Sequence, residues 1–590
     1  MQEGLIYTNE KCIGCNKCVR ICSSFGASVC KSGPSRASIR INAERCIVCG
    51  ACVDVCAHGA RQYIDDTDRF FDDLRAGEPI SILVAPSFAA KYPMSYRAMF
   101  GALRLMGVRH IVPVSLGADI CTWAYLKCFE EAGNDSPSFI STSCPTVVSY
   151  IEHWMPSLIP RLLPVKSPLM CIATYCREQL GITDKLAFIG PCIAKKLEID
   201  RYPDLVGYNV TFPMLVERLR GSLSEEECDY DDIEYGLGSY YPAPGGLADN
   251  VRWLLGDSVP VRVVSGKTYL YERFERGKRG IFSHDLPFTL VDALNCAEGC
   301  IEGTARIAHE SEEVGLANIT AIRAGSKSTR ADSPWNPALT PPERLARLNE
   351  QFADLDLASY KVEFVDQSAA CNVSIPTAEE AERIYVSLHK PDAESRQVNC
   401  SACGYESCAE MMVAIHNGFN IRYNCVYFEK EEAIRLARMS FADQLTGVMN
   451  RNALETMGAD LYGEGHSLGL IVGDVDGLKQ KNDSEGHAAG DWLIQSTARA
   501  LANRFGRERV FRTGGDEFLV IVQDHTSDEL MEGIEEVKTH LAAIDVSVSI
   551  GLAYTQNYKG DFEHLERLAD ARMYEDKARY YESSGIERRG

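Results

Sequence analysis

The chain has 590 residues, 45% of them hydrophobic and 24% charged, with a formal net charge of −22 at pH 7. That length exceeds what one hydrophobic core usually fills, so several domains are expected. The acidic balance argues against nucleic acid or an anionic membrane surface as a partner. No segment reaches the roughly 18 uninterrupted apolar residues of a spanning helix. The first residues also lack the basic stretch and apolar run of a secretion signal, so a cytoplasmic protein is expected. All 23 cysteines lie at or before Cys425. In a long chain of this kind, that density points to metal rather than to disulfides.

Residues 1–65 carry two tandem runs, Cys12, Cys15, Cys18, Cys22 and Cys46, Cys49, Cys52, Cys56, each spaced C-x2-C-x2-C-x3-C. Thiolates are soft anionic donors that suit iron in sulfide clusters. The spacing resembles bacterial two-cluster ferredoxins, in which the fourth cysteine of each run serves the other cluster. The resemblance implies a ferredoxin-like domain with Cys12, Cys15, Cys18 and Cys56 on one [4Fe–4S] cube. Cys46, Cys49, Cys52 and Cys22 would hold the second. Ser23 and Ala57 stand where a proline usually follows the run. Zinc is the competing metal for paired C-x2-C. Cys30 fits neither run and reads as a small buried residue.

Beyond residue 75 the pattern changes to short apolar runs. Ile80–Ala85, Pro137–Ser141 and Lys185–Ile189 each lead into a small-residue or cysteine-bearing loop, with a helix expected at Met94–Met106. Such runs read as buried strands alternating with helices. Ligands in such sheets collect at the carboxyl ends of strands.

Two of these loops and one later stretch carry a resemblance. Thr142-Ser143-Cys144-Pro145, Gly190-Pro191-Cys192-Ile193-Ala194-Lys195-Lys196-Leu197-Glu198 and the stretch from Asp292 through Cys296 and Cys300 to Gly303 resemble the three H-cluster motifs of [FeFe]-hydrogenases. Residues 75–325 would then form an α/β H-cluster domain of the Fe-only hydrogenase large-subunit type. The resemblance implies a [4Fe–4S] cube on Cys144, Cys192, Cys296 and Cys300, with Cys300 bridging to a two-iron subcluster. Ala85, Pro86, Ser87 and Lys195 would surround that subcluster's cyanide ligands. It also implies H2 or protons as ligand, a redox partner such as ferredoxin, and hydrogenase maturation proteins.

The departures are specific. Ser143 replaces the cysteine that relays protons in family catalysts, and a hydroxyl is a far poorer acid than a thiol. Gly190 and Leu294 replace methionines, which removes soft packing and is expected to leave more room or water. These changes resemble the sensory branch of the family. A cube without the two-iron subcluster is the alternative. Cys121, Cys128, Cys171, Cys176 and Cys228 fit no motif and read as packing residues.

Residues 326–370, with Ser, Pro, Asn and Thr clustered near the start, read as a linker. Residues 371–427 contain Cys400, Cys403, Cys408 and Cys425 in a C-x2-C-x4-C-x16-C array. With Ile375-Pro376-Thr377 this resembles a small four-cysteine Fe–S domain found in redox-driven ion-pump and corrinoid proteins, and it implies a fourth [4Fe–4S] cluster. Zinc competes here too, and Cys371 is unassigned. Residues 428–441 form a strong helix-forming stretch. Its Ala433, Leu436, Ala437 and Phe441 lie at helical spacing, and it is either a solvated connector or a dimerising helix.

The cysteine-free remainder, 442–590, alternates helices and strands. Ser467–Asp476 is an apolar run ending in Asp474-Val475-Asp476, while Val510–Arg512 and Phe518–Val522 flank Thr513-Gly514-Gly515-Asp516-Glu517. Glycines at the turn favour a hairpin. Carboxylates gathered at strand ends are what Mg²⁺-assisted phosphoryl transfer requires.

This segment resembles the GGDEF diguanylate cyclases, in Asp443 to Arg451, Asp474 to Asp491, Gly514 to Phe518, Ser547 to Gly551 and Ala569 to Lys577. The resemblance implies an α/β nucleotidyl cyclase palm domain converting two GTP to cyclic di-GMP. Asp474, the Val475 carbonyl and Asp516 would bind Mg²⁺. Asn482 and Asp491 would read guanine, His487 would contact the nucleotide, and Lys479 and Lys577 would neutralise phosphates. Asp516 or Glu517 would help deprotonate the attacking 3′-hydroxyl. One subunit holds one GTP, so a homodimer is implied. Phe505 and Glu508 occupy the positions of the family's inhibitory Arg-x-x-Asp, and Gly477 departs from a usual bulky residue.

The whole is a multidomain α/β and α+β chain, expected to be a hydrogen- or redox-sensing diguanylate cyclase. The alternatives are a working [FeFe]-hydrogenase with a regulatory GTP-binding domain and an electron-transfer scaffold lacking the two-iron subcluster.

Overall fold

Closely spaced cysteines force the chain to curl, and the first residues show how. In a computed structural model, which describes residues 4–32, 37–133, 138–276, 289–305 and 312–584, each cysteine run passes through a left-handed residue into a one-turn helix. Asn16 (φ 62°) opens Lys17–Arg20, and Gly50 (φ 75°) opens Ala51–Asp54. Four short strands frame the two turns. β1 (Ile6–Thr8) and β2 (Ser28–Ser32) belong to one half of the repeat, β3 (Ala37–Ile41) and β4 (Arg61–Tyr63) to the other. β1 pairs antiparallel with β4, and β2 with β3.

The apolar runs that follow form two parallel sheets. β5 (Ile80–Val84) is buried at every residue and lies between β6 (Val108–Pro113) and β8 (Lys185–Gly190), with β9 (Tyr208–Thr211) beyond β8. The second sheet runs β10 (Val261–Ser265), β11 (Leu290–Leu294), β7 (Phe139–Ile140). Continuous apolar runs suit parallel strands covered on both faces. Of the expected run Pro137–Ser141, Pro137 lies outside the described residues. The expected helix at Met94–Met106 spans Tyr96–Leu105, with Met94 93% exposed in the loop before it.

One expectation is corrected. The stretch 326–370 is part of the core rather than a linker. Trp335 is 1% exposed, and Leu348, Phe352 and Tyr360 join the same apolar cluster as β5 and β8. The Ser/Pro/Asn bias has a different cause: polar side chains cap tight turns around the Trp335 anchor. Trp335 N–H donates to Ser333 Oγ (3.2 Å), and Asn336 Nδ2 donates to the Arg330 carbonyl (3.0 Å). Composition cannot tell such a stretch from a loop, because both need side chains that satisfy irregular backbone.

The 371–427 stretch packs on the first 65 residues. Phe25 meets Tyr405 and Phe419 at ring-centroid distances of 5.6 and 5.9 Å. Buried Arg45 donates to the carbonyls of Phe25, Ala370, Cys371 and Asn372. The chain divides into two units, Met1–Phe428 and Glu429–Gly590. The boundary falls inside the helix Val426–Phe441, where Phe428 is buried and Leu436 is 53% exposed.

The second unit is one five-stranded sheet. β12 (Met449–Asn450), β13 (Leu468–Val475), β14 (Val510–Arg512), β15 (Glu517–Gln523) and β16 (Val548–Thr555) lie in the order β12-β14-β15-β13-β16. β13 is antiparallel to both its neighbours. Successive residues of β13 face opposite layers, as strand geometry requires. Leu468 and Leu470 pack with the helix Phe562–Ser584, and Ile471 with the helices His487–Phe505 and Ser527–Ala542.

Candidate functional site

The carboxyl ends of β5, β7, β8 and β11 carry the small-residue and cysteine motifs, and the structure brings them around one cavity of about 90 Å³. Cys144, Cys192, Cys296 and Cys300 face it together, as do Ala85, Pro86, Ser87, Ser143 and Lys195. Gly299, at φ +65°, sits where a Cβ would lie 2.0 Å from the Pro242 carbonyl. Only glycine lets the loop turn there and set Cys300, whose N–H donates to that same carbonyl (2.7 Å).

The lining fits an anionic iron–sulfur group. Burial pushes the Cys144, Cys296 and Cys300 thiols up, Cys296 to about 12, so an ionised form there calls for a metal. Two wall hydroxyls, Ser87 Oγ and Thr146 Oγ1, are buried and find no hydrogen-bond partner among the described residues. Orphaned donors of this kind want a polar occupant. The Lys195 ammonium donates to Glu198 (2.7 Å), Ser167 Oγ (2.8 Å) and the Ser143 carbonyl (3.5 Å). Burial opposes its charge, but Glu198 and the Cys192 and Cys300 thiols outweigh burial, and its pKa is raised.

The expected extra room at Gly190 is not there. A Cβ at Gly190 would meet the Phe188 ring at 2.1 Å, and that ring and Leu294 form part of the cavity wall. Loss of the side chain at 190 is filled by an aromatic ring from two residues upstream, and the wall stays apolar.

The other cysteine sets also gather. Cys22 joins Cys46, Cys49 and Cys52 around a cavity of about 20 Å³. Cys400, Cys403, Cys408 and Cys425 line another of about 20 Å³. Cys12 and Cys15 lie near Cys18, whose thiol burial raises, while Cys56 Sγ accepts the Ala60 N–H (3.3 Å). Among the described residues no three His, Cys, Asp or Glu side chains stand close enough to hold a single ion. The thiols of each set line a small volume.

Residues other than the cysteines join these sets in series. Asn295 Nδ2 donates to the Cys49 carbonyl (3.1 Å) and to Cys296 Sγ (3.6 Å), and Tyr271 Oη holds Asn295 Oδ1 (2.7 Å). Arg61 donates to Cys18 Sγ (3.2 Å) and interacts electrostatically with Cys52. Asn16, beside Cys15, and Asn424, beside Cys425, exchange side-chain hydrogen bonds of 2.7 and 3.1 Å in a buried reciprocal amide pair. The order runs from the cavity, through the Cys49 and Cys18 sets, to the Cys403 set. Sequence reasoning missed Asn16, Arg61, Asn295 and Asn424. The one available signal was that each is polar within three residues of a motif cysteine or in the strand closing the repeat.

In the second unit, antiparallel pairing puts Asp474 opposite Glu517 at the sheet end. The Val475 N–H donates to the Asp516 carbonyl (3.1 Å). Lys577 donates to Asp474. Burial works against the Lys577 charge, yet the Asp474 carboxylate outweighs it and raises the lysine pKa. Asp476 is taken by Ser547 Oγ (2.8 Å) and Ser549 Oγ (2.6 Å). Asn482 Oδ1 is buried without a partner among the described residues, a free acceptor suited to a base. Lys479, His487, Asp491 and Glu517 are exposed, and Asp516 is half-buried.

Arg512 was also missed. It donates to Asp443 Oδ1 (3.0 Å) and to the Gly515 carbonyl (2.6 Å), which pins the turn carrying Asp516. A wide polar cleft is lined by Asp476, Lys481, Lys538, Asp576 and Arg579, without Asp474. Its cations are already paired, Lys481 with Glu485 and Lys538 and Arg579 with Asp576.

Three segments match family models: residues 11–60 the 4Fe-4S dicluster domain, 78–304 the C-terminal domain of the iron only hydrogenase large subunit, and 440–582 the diguanylate cyclase GGDEF domain. The chain therefore joins a ferredoxin-type, a hydrogenase-type and a GGDEF domain. It is 34% identical over 158 residues to the probable diguanylate cyclase DgcI of Escherichia coli (strain K12), over 26% of this chain and 35% of that protein. The diguanylate cyclase DosC of the same strain is 32% identical over 152 residues, 23% of this chain and 33% of DosC. The chain spans 24–42% of the length of the first curated relatives it matches.

Among solved structures, a variant of [FeFe]-hydrogenase HydA1 from Chlamydomonas reinhardtii aligns at 15% identity and a TM-score of 0.38, over 52% of this chain and all of that one. The coiled coil and GGDEF domain of DgcB from Caulobacter crescentus, in complex with c-di-GMP, aligns at 25% identity and a TM-score of 0.23, over 25% of this chain and 87% of that one. No helix among the described residues is long and apolar enough to cross a membrane.

Proposed function

We propose that the protein is a hydrogen- or redox-responsive diguanylate cyclase of the cytoplasm, acting as a homodimer. The observation that carries the cyclase half is the sheet-end group of Asp474, Lys577 and the Arg512-pinned Asp516 turn, beside the unpartnered Asn482 acceptor. Two GTP become one cyclic di-GMP and two pyrophosphates. In each step the 3′-oxygen of one GTP bonds to the α-phosphorus of the other and the bond to pyrophosphate breaks. Asp516 or Glu517 takes the 3′-hydroxyl proton, Lys577 and Lys479 stabilise phosphate charge, and Asn482 and Asp491 hold guanine. Mg²⁺ bound at Asp474, the Val475 carbonyl and Asp516 would supply further charge neutralisation. Each subunit offers one such site, so two must face each other.

In the first unit, an iron–sulfur group with a two-iron partner at Cys144, Cys192, Cys296 and Cys300 would supply hydrogen binding and electron transfer. Oxidation of H2 there would release two protons and two electrons, and the Cys12–Cys56 and Cys400–Cys425 sets would hold the further clusters that carry those electrons toward an acceptor such as ferredoxin. Lys195 keeps a fixed positive charge on the cavity wall, Ser87 and Thr146 offer hydroxyl donors, and the apolar wall excludes water. Ser143 is a weak proton acceptor and donor, which suits slow turnover. Installation of the two-iron partner calls on maturation proteins.

The test is cyclic di-GMP synthesis from GTP and Mg²⁺ by the full iron-loaded chain under hydrogen, under nitrogen and with a chemical reductant. The expected result is a rate that differs between nitrogen and the other two conditions. Equal rates in all three would sink the sensor and leave the cyclase standing.

A further inference from the structure

Two arginines are buried in the ferredoxin-type half, each 3% exposed, and they are served differently. Arg45 is solvated by four backbone carbonyls and sandwiched by the Trp154 and Phe419 rings. Arg61 has no such cage. Its Nη1 donates to Thr8 Oγ1 (2.7 Å) and its Nη2 to Cys18 Sγ (3.2 Å), with Ser28 Oγ at 3.5 Å. Among the described residues no carboxylate pairs with it. A guanidinium stays ionised in proteins, and a buried one without a cage like that of Arg45 calls for an opposite charge. The groups within reach that a bound cluster would leave anionic are cysteine sulfurs, of Cys18 by direct contact and of Cys12 and Cys52 by proximity. These belong to both cysteine sets of the repeat, so the charge sits between two cluster positions.

We propose that Arg61 is the fixed counter-charge of the two ferredoxin-type clusters and biases them toward holding an electron, setting the poise of the relay between the cavity and the Cys400–Cys425 set. Reduction adds one electron from a low-potential donor and neither forms nor breaks a bond. It adds negative charge beside a guanidinium that is already in place, so the reduced state gains more than the oxidised one. A hydrogen bond to the Cys18 sulfur acts in the same direction, since charge and hydrogen bonds at sulfur are what tune such clusters. The proposal rests on the electron-relay reading above and requires nothing of the cyclase.

The test uses the full chain loaded anaerobically with iron and sulfide, titrated with dithionite and followed by electron paramagnetic resonance and visible absorbance. At the potential that half-reduces the ferredoxin-type clusters of the parent, Arg61→Gln should lower the reduced-to-oxidised ratio roughly tenfold or more, from the loss of one nearby charge. Arg61→Lys, which keeps the charge, should stay near the parent. Lys17→Gln, the loss of an exposed charge in the same half, should do little. An unchanged ratio in an iron-replete Arg61→Gln overturns the proposal. If Arg61→Gln fails to hold iron while Arg61→Lys holds it with the parent ratio, the charge requirement stands. If both lose iron, the role is shape and the proposal falls. A shifted ratio with identical cyclase rates under every gas keeps this inference and discards the sensor. Gas-dependent rates without a shifted ratio do the reverse.

Discussion

The two units build their sites from opposite materials. The cavity of the first is walled by Phe188, Leu294 and buried thiols, and reached by four strand ends from two sheets. The site of the second stands at one sheet end, with Glu517, Lys479, His487 and Asp491 exposed to water. A small uncharged gas can enter a dry apolar space, whereas a triphosphate needs solvent and mobile cations around it. The difference extends to stability. The second unit closes a conventional apolar core on each face of its sheet. The small modules of the first place cysteines in the core itself, with Cys18, Cys30, Cys52, Cys403 and Cys425 in one cluster. Burying unligated thiols there leaves their coordinating capacity unused, so folding of these modules is expected to depend on metal.

Iron removal is the largest test of that contrast. Anaerobic chelation should strip amide protection from residues 4–65 and 371–428 in hydrogen exchange while leaving β13 to β16 protected. Equal loss in both units would erase the distinction. Next in size, Asp516→Asn should cut cyclic di-GMP synthesis roughly a hundredfold or more, as removal of a charge-stabilising group does, without bleaching the cluster absorbance. Loss of both signals would mean that the units are not independent.

Gly404→Ala probes the seam inside the first unit. Gly404 has φ +91°, and an added Cβ would lie 2.6 Å from Val19 Cβ. The variant should cost about 1–3 kcal/mol in melting of the first unit alone, read by circular dichroism on the iron-loaded chain. An unchanged melt would show that the small module does not pack there. The smallest effect is expected from Arg512→Ala, which frees the Asp516 turn from Asp443. The kcat of synthesis should fall about tenfold with KM for GTP nearly constant, since displaced catalytic groups cost rate before binding. A change in KM alone would place Arg512 in substrate binding.

The cysteine sets and the Gly514–Phe518 turn were legible because ligand spacing and turn chemistry are local. Cys12, Cys15 and Cys18 are close in sequence, so a short stretch of backbone is enough to bring them together, and a tight hairpin needs glycine. Trp335 was not legible, because an anchor inside a Ser/Pro-rich stretch has no period. The consequence of Gly190 was misjudged for a related reason: the Phe188 ring that fills its space could be located only in three dimensions.

The sequence by itself determined which residues offer soft sulfur donors and which offer clustered carboxylates, because donor identity and short spacing are written residue by residue. Only the tertiary structure decided the order in which those sites meet. Asn16 reaches Asn424 across 408 residues and Asn295 reaches Cys49 across 246. Contacts at that range follow from which apolar surfaces bury one another. That same burial left Arg61 facing two cysteine sets with no carboxylate among the described residues to answer its charge.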